Sequence, residues 1–421
     1  MYQFHTLENG IRLVCEQIPY VKSVTVGFWI QAGSVTEQDS ECGISHFIEH
    51  MLFKGTKSRS AKEIVQAIDW IGGHINAFTS TECTCLYTKT LSRHIGTAIE
   101  VLCDMLQNSS LRPREIEIEK KVILEEINMC EDMPDELCGD LLAEGIWGGT
   151  PLGRPILGTA EGIKGFSVEK LRAYMDRLYY PQNIVVAVCG NFDLEQVIGL
   201  LEEHLHYQNG QKNAVEPECP SVFHEGFFKR EKEVEQTQLC LGFPGLPRDD
   251  DAAYSLMVLN TVFGGGMSSR LFQKIREEMG LAYSVGSYLL SYKNNGILAV
   301  SAGMSPDCAA DVAELVLDEI RLLRRHSLSD QEIRTCKEQL AGNYIMGLES
   351  VSNRMSHLGK SRLLLGSVKT PDEILQKIDA VDRDSIEAVI ERVFGSGRFA
   401  VSAVGVVESS LERLYENAKW L

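Results

Sequence analysis

The spacing of apolar and polar residues predicts the same order of strands and helices in each half of the chain. The first half is predicted to contain strands within 11–33, a helix over the segment HFIEH, a helix at 60–71, strands within 74–90 and a helix at 93–107. The second half is predicted to contain a strand at 236–243, helices at 251–263 and 268–279, strands within 281–303 and a helix at 306–325. Each half then adds helices and closes on an apolar strand, at 183–191 and at 398–406.

This repeated order is typical of an α+β fold with helices on one face of a mainly antiparallel sheet. The chain has 421 residues, which is long for one domain and comfortable for two. We therefore predict two homologous domains, residues 1–208 and 233–421. The polar and mixed segment 209–232 is predicted to be the linker between them.

Three polar residues interrupt an otherwise apolar helix at His46, Glu49 and His50. They stand at positions i, i+3 and i+4, so they share one helix face and need a partner there. Two imidazoles one turn apart can bind a metal ion, and the carboxylate between them can polarise a water molecule. This is the H-x-x-E-H order of the inverzincins. From these residues alone, neutral core or capping histidines remain the alternative.

A predicted helix at 113–130 carries Glu119, Val122, Ile123 and Glu126 on one stripe. Glutamates on an apolar stripe are unexpected, because buried charges are rare unless they are paired or bound to metal. Catalytic zinc uses three protein ligands, so this helix could supply the third one. An exposed charge run on a surface helix is the alternative.

The chain resembles the pitrilysin family of zinc metallopeptidases, above all the mitochondrial processing peptidase β subunit and its single-chain bacterial homologues. The resemblance rests on six segments in the same order, GISHFIEHMLFKGT, GGHINAFTSTECT, EKKVILEEI, PLGRPILGT, YYPQNIVVAVCGN and GGGMSSRLFQKIREEMGLAYSV. It implies an endopeptidase with one zinc ion per chain, bound by His46, His50 and Glu126. Glu49 would be the general base, and Glu119 a carboxylate that supports the site.

The resemblance also implies that Arg276 and Tyr283 hold the substrate and stabilise the transition state. Their alternatives are a surface salt bridge and a packed ring. The family encloses its active site between two halves, and this chain supplies one half. We therefore expect a homodimer with a closed chamber, in which the partner chain completes each active site.

Substrate residues are expected on a strand and on an acidic turn. Asn76, Ala77 and Phe78 would belong to an edge strand that pairs with an extended peptide, unless the strand is an ordinary buried one. Glu136 and Asp140 match the family's pocket for arginine, which implies cleavage of unfolded or presequence-like peptides near basic residues. A solvated acidic turn is the alternative.

Two other functions share this fold. One is a non-catalytic structural subunit, like the core proteins of the respiratory cytochrome bc complex. The other is a peptidase subunit that needs a different partner chain. The intact zinc motif argues against the first, and the presence of both Arg276 and Tyr283 in the same chain argues against the second.

Composition narrows the setting. The formal charge of −18 argues against a nucleic-acid partner, and no apolar run is long enough for a membrane helix. The first residues show no signal-peptide pattern. The twelve cysteines form no C-x-x-C pair and are expected to be reduced and mostly buried. We therefore expect a cytoplasmic protein without membrane attachment.

Overall fold

The computed structural model describes residues 2–207 and 222–418. These residues form two compact units. The first unit consists of 2–127, 155–207 and 345–370, and the second unit consists of 128–154, 222–344 and 371–418. Each unit therefore draws on both halves of the chain.

The strands and helices follow the predicted order. The strands are β1 (Tyr2–Thr6), β2 (Arg12–Gln17), β3 (Ser23–Ile30), β4 (His74–Thr79), β5 (Thr84–Leu91), β6 (Ile184–Gly190), β7 (Gly226–Glu231), β8 (Thr237–Pro244), β9 (Ala282–Ser291), β10 (Gly296–Met304) and β11 (Ala400–Gly405). The helices are α1 (Ile44–Leu52), α2 (Ala61–Asp69), α3 (Ile95–Asn108), α4 (Pro113–Glu131), α5 (Pro134–Trp147), α6 (Ala160–Lys164), α7 (Val168–Leu178), α8 (Leu194–His204), α9 (Ala253–Phe263), α10 (Ala309–His326), α11 (Asp330–Gly347), α12 (Val351–Leu364), α13 (Pro371–Asp379), α14 (Arg383–Phe394) and α15 (Ser409–Asn417). A π-helix spans Phe272–Glu278.

The first unit contains a sheet in the order β1-β2-β6-β3-β5-β4. All neighbours are antiparallel except β2 and β6, which are parallel. The central strands β3 and β6 are buried almost throughout, which explains their nearly continuous apolar sequences. Strand β4, which contains Asn76, Ala77 and Phe78, lies at the edge of the sheet.

Both faces of this sheet are covered. On one face, Val26, Phe28 and Val186 pack into a core with helices α1, α2 and α3. The other face packs against α12, where Trp29 Nε1 donates to Met355 Sδ over 3.3 Å. Consecutive strand residues point to opposite faces, so nearly all residues of the central strands β3 and β6 are buried by one helix layer or the other.

The second unit contains a sheet in the order β7-β11-β8-β10-β9. Only the β7–β11 pair is parallel. Leu239 and Leu241 face a core that includes residues of α9, α10 and α14. Helix α5 covers the opposite face, where Ser402 Oγ donates to the carbonyl oxygen of Cys138 over 2.7 Å.

These units confirm a mixed α/β fold with two mainly antiparallel sheets. The sequence pattern predicts helices on one face of each sheet. In the structure a helix also covers the second face, and this helix comes from the other half of the chain. The predicted linker also differs from the structure, because Gly226–Glu231 forms β7 and pairs with β11. Phe227 packs against the core of the second unit, and this burial explains why a polar-looking segment forms a strand. Residues 209–221 of that linker lie outside the described residues.

No helix in the described part of the chain is long and apolar enough to cross a membrane. None of the eleven cysteines of that part forms a disulfide, and most of them are buried.

Candidate metal centre

The N-terminus of the motif helix α1 is held by a buried carboxylate. Glu37 is only 4% exposed and accepts the backbone N–H groups of Gly43 and Ser45 over 2.8 and 2.9 Å. Negative charge is favourable at this end of a helix. Gly43 has φ +89°, and a Cβ there would lie 2.7 Å from the carbonyl oxygen of Leu157, so glycine is required. These contacts fix where α1 begins.

The apolar residues of α1 orient the rest of the helix. Its buried residues include Phe47, Ile48 and Met51, which pack into the core of the first unit. Their burial leaves His46, Glu49 and His50 half-buried on the remaining face. These three residues therefore share one face of α1, as their spacing predicts.

Glu126 of helix α4 meets both histidines. Its Oε2 atom lies 3.8 Å from His46 Nε2 and 3.6 Å from His50 Nε2. The ligand atoms of the three side chains lie within 4.8 Å of one another. Four ligands about 2.1 Å from a tetrahedral zinc ion lie about 3.4 Å apart, which is close to these separations.

The hydrogen bonding of this group also fits a cation. Glu126 Oε2 is buried and has no hydrogen-bond partner among the residues that the structure describes. Burial of such an oxygen is costly unless a cation or a donor satisfies it. The set of two imidazoles and one carboxylate is one that catalytic zinc uses. The donor atoms and their arrangement therefore fit zinc.

Glu119 holds the second histidine in a defined tautomer. This carboxylate is 1% exposed and lies 3.1 Å from His50 Nδ1 and 2.7 Å from Lys54 Nζ. When Nδ1–H donates to Glu119, the lone pair of Nε2 points toward Glu126 and is free for a metal. Burial alone would raise the pKa of Glu119, but the bonds from His50 and Lys54 lower it, so the group stays ionised.

The two histidines differ in their electrostatics. Burial and the neighbouring His50 lower the pKa of His46 to about 4, so its ring is neutral at neutral pH and can donate a lone pair. Burial works against protonation of His50 as well. The hydrogen bond to Glu119 and the charges of Glu126, Glu119 and Glu49 together outweigh it and raise the pKa of His50.

Glu49 is held by the last residue of strand β4. Thr79 Oγ1 donates to Glu49 Oε2 over 2.6 Å. Burial raises the pKa of Glu49, although the Thr79 bond opposes the shift. A carboxylate with a raised pKa next to a metal-ligand group is suited to accept and return a proton.

The pairing of β4 shows which of its backbone groups face the free edge. Ser80 N–H bonds to Cys83 C=O over 2.8 Å, so antiparallel alternation directs the backbone groups of Asn76 and Phe78 inward to β5. Those of Ile75, Ala77 and Thr79 face outward. The Ala77 N–H donates to the side chain of Asn76 over 2.9 Å, as an outward group can.

Arg276 and Tyr283 lie together in the second unit. The guanidinium carbon of Arg276 is 5.5 Å from the Tyr283 ring centroid and 4.8 Å from that of Phe272. Tyr283 is 74% exposed at the start of edge strand β9, which does not agree with a packed ring. Arg276 belongs to the π-helix. This conformation is rare in proteins, and where it occurs it is often at a functional site.

Glu136, one of the two residues predicted for an arginine pocket, lines a cavity of about 270 Å³ in the second unit. Asp135, Glu136 and Tyr288 are among its lining residues. Asp140 lies one helical turn beyond Glu136 on α5. Desolvation, then the charges of Glu136 and Glu144, raise the pKa of Asp140. Asp135 and Glu136 therefore give an acidic side to a cavity large enough for part of a peptide side chain, whereas Asp140 is not among its lining residues.

Three features of the site differ from the sequence analysis. Val122 is 39% exposed and does not belong to the buried stripe, because its helical phase lies about 60° from that of Glu119. Lys54 was missed as a partner of Glu119, and its position four residues after His50 was the only signal. The hydrogen bond from Thr79 to Glu49 was missed as well. Alternation along β4 indicates which face of the sheet a side chain is on, but it does not indicate which residue that side chain contacts.

Comparisons with known proteins identify the family. Residues 12–160 match the family model described as insulinase (peptidase family M16), and residues 165–340 match the peptidase M16 inactive domain. The protein named "Uncharacterized zinc protease YmxG" of Bacillus subtilis is 42% identical, over 94% of this chain and 96% of its own length. A protein of Streptomyces coelicolor that is also named a zinc protease is 38% identical, over 98% and 91% of the two chains.

Solved structures show the same fold. The peptidase M16 inactive domain from Pseudomonas fluorescens has a TM-score of 0.90 at 17% identity, covering 97% of this chain and 99% of that chain. A protease from Helicobacter pylori has a TM-score of 0.89 at 20% identity, covering 96% and 99%. With two family models along its length and relatives named zinc proteases, the chain belongs to peptidase family M16, in agreement with its resemblance to the pitrilysin-family zinc peptidases.

Proposed function

We propose that this protein is a zinc-dependent endopeptidase that hydrolyses unfolded peptides or presequence-like segments. The observation that carries the proposal is the convergence of His46, His50 and Glu126 beside Glu49. The buried Oε2 atom of Glu126 has no hydrogen-bond partner within residues 2–207 and 222–418. His46, His50 and Glu126 would hold one zinc ion per chain. A structural subunit without activity has no need of this arrangement.

The chemistry is divided between the ion and the side chains. Zinc, when bound, lowers the pKa of water and polarises a carbonyl group. Glu49 accepts the proton of the attacking water and later delivers it to the leaving amine. Glu119 keeps His50 in the tautomer that presents Nε2, and Lys54 stabilises the charge of Glu119. Arg276 and Tyr283 are donors for the substrate and for the developing oxyanion.

The peptide binds as an added strand on β4. The backbone groups of Ile75, Ala77 and Thr79 face outward and can pair with a peptide. Among the predicted substrate-binding residues Asn76, Ala77 and Phe78, it is therefore Ala77 that pairs through its main chain. Asn76 and Phe78 contribute side chains. Because the Asn76 amide accepts the Ala77 N–H, it must release that group when a peptide pairs there. Backbone pairing gives affinity with little dependence on sequence.

A preference for basic residues near the cleaved bond would come from Glu136 and Asp140. The support is the acidic cavity beside α5 and the raised pKa of Asp140. Digestion of a peptide library measures it. Enrichment of arginine or lysine beside the cleavage site is expected, and its loss in a Glu136→Gln/Asp140→Asn variant is the control. Indifference of the wild type to basic residues removes the pocket from the proposal.

The active form is proposed to be a homodimer that encloses a chamber, with Arg276 and Tyr283 of one chain serving the zinc site of its partner. Mixing of inactive variants tests this arrangement. A Glu49→Gln chain and an Arg276→Ala chain should regain activity together, because mixed dimers contain one complete site. No recovery, with subunit exchange verified, means that each chain completes its own site.

The central experiment is the Glu49→Gln variant. We expect it to lose cleavage of a basic unstructured peptide while it binds as much zinc as the wild type. Glu126→Gln is the matched variant and should lose zinc as well as activity. Glu125→Gln, on the exposed face of the same helix, should keep both. If Glu49→Gln still cuts the peptide, the assignment of the base is wrong.

A further inference from the structure

Thr79 is in contact with the base and with the peptide-binding edge at the same time. Its side chain donates to Glu49 Oε2 over 2.6 Å, while its backbone groups face outward from β4. We propose, on the basis of the function proposed above, that Thr79 is a positioning residue that fixes the Glu49 carboxylate relative to the bound peptide backbone. One residue would then set the distance between the base and the bond that is cut.

The direction of the hydrogen bonds limits what the hydroxyl group can do. A threonine hydroxyl has one hydrogen, and that of Thr79 goes to Glu49. Thr84 Oγ1 lies 3.4 Å from Thr79 Oγ1, but it donates its own hydrogen to the carbonyl oxygen of Ala32 over 2.8 Å. Neither hydroxyl therefore has a proton to give to the other. The role of Thr79 is orientation and not proton relay.

The alternation of the strand explains why Thr79 and no neighbour on β4 can do this. The side chains of Ala77 and Thr79 point to the face of the sheet that carries α1, where Ala77 is buried in the core. Phe78 points to the other face and packs against Trp29, with ring centroids 5.5 Å apart. Thr79 is thus the residue of β4 with a side chain that reaches Glu49 and a main chain on the free edge.

Two substitutions separate the hydroxyl group from the shape of the side chain. Thr79→Val keeps the branched shape and removes the donor, and Thr79→Ser keeps the donor. A displacement of about 1 Å in a reacting group can reduce the rate about 100-fold, so kcat of Thr79→Val should fall by about that factor with KM little changed. Thr79→Ser should restore kcat to within about threefold of the wild type, since its donor group is retained.

The matched control is Thr88→Val on the neighbouring strand β5. The hydroxyl group of Thr88 is buried, and no group in the described part of the chain forms a hydrogen bond with it. Its removal leaves no polar group unpaired, so activity should be unchanged. Equal loss of kcat in the valine and serine variants, or no loss in the valine variant, overturns the inference. If Thr79→Val does not fold, Thr79→Ala, which adds no bulk, takes its place.

Crystal structures of the zinc-loaded wild type and of Thr79→Val give a readout that does not depend on activity. The Glu49 carboxylate should leave its wild-type position in the variant while zinc content stays the same. A carboxylate that stays in place overturns the inference even if the rate falls. If the wild type shows no zinc-dependent cleavage, the proposed function fails, but this structural comparison still tests the role of Thr79.

Discussion

Replacement of Glu119 by glutamine tests whether a carboxylate outside the metal-ligand set tunes zinc binding. The substitution keeps the shape of the side chain and removes its charge. The amide oxygen can still accept the His50 Nδ1–H, but Lys54 loses its ionic partner at 2.7 Å. We expect the zinc dissociation constant to rise about 10-fold to 100-fold, the range for loss of such supporting groups. This corresponds to about 1.4–2.7 kcal/mol.

The metal-free protein should also lose stability. A hydrogen bond to a charged group contributes about 1.5–3 kcal/mol, and the side chain of Lys54 is 31% exposed, so water screens part of that energy. The low end, about 1.5 kcal/mol, is therefore the expected loss in free energy of unfolding.

Competition with a chelator measures zinc affinity, and urea denaturation of the metal-free protein measures stability. Glu125→Gln is the control, since Glu125 is exposed on the same helix. Unchanged zinc affinity in Glu119→Gln refutes the supporting role. A loss of stability without a loss of affinity assigns Glu119 to folding alone.

Three further predictions concern acid stability, packing and peptide binding. Burial opposes ionisation of Glu332, but hydrogen bonds from Arg270 and Ser329 lower its pKa from 4.5 to about 2. The ionised Glu332 therefore stabilises the fold at pH values above 4.5, and this stabilisation is lost as the pH falls from 4.5 toward 2. The difference in free energy of unfolding between the wild type and Glu332→Gln, measured with urea, should disappear over that pH interval. Gly359→Ala places a Cβ against the Trp29 ring and should lower the free energy of unfolding by about 1–3 kcal/mol in the same assay. The control Gly342→Ala has open space around it on α11 and should be neutral or stabilising, so equal effects of the two substitutions would contradict the packing of α12. Peptides with N-methyl groups at alternate backbone positions should bind Glu49→Gln about threefold to tenfold more weakly in one register than in the other, as measured by fluorescence anisotropy, and equal affinities would contradict strand addition at β4.

The helix face of the site could be predicted from the sequence because it depends on local periodicity. The spacing of His46, Glu49 and His50 defines a shared face whatever the rest of the fold does. The approach of Glu126 is different, since a period shows which side of a helix is apolar but not which helix it meets. That contact required the resemblance to a family, and the structure places the three side chains together.

Other contacts of the site have no local signature. Glu119 and Glu125 are both glutamates on α4, yet one is 1% exposed and the other lies in solvent. The burial of Glu119 depends on Lys54, which follows α1 in a different part of the chain. Thr79 reaches Glu49 only because the hairpin of β4 and β5 lies over α1. Tertiary packing decides these pairs, so sequence periodicity could not.

The fold prediction reached the order of elements but not the origin of every layer. Strands such as β3 and β6 are apolar on both faces, which indicates cover on both sides. The pattern does not say which helix supplies that cover. Helices α5 and α12 have weak amphipathic character, so their burial against the sheets gave little signal.

Helices α5 and α12 each cover the sheet formed by the other half of the chain, and this arrangement affects folding during synthesis on the ribosome. A nascent chain that has emerged only to residue 207 holds all six strands of its first sheet but lacks α12, which ends at Leu364. Trp29, Cys85 and Val185 then have no helix over them and face water. Such an intermediate is prone to aggregation until α12 has emerged. A truncated chain of residues 1–207 should accordingly bind a hydrophobic dye, and failure to do so would show that the bare face finds another cover.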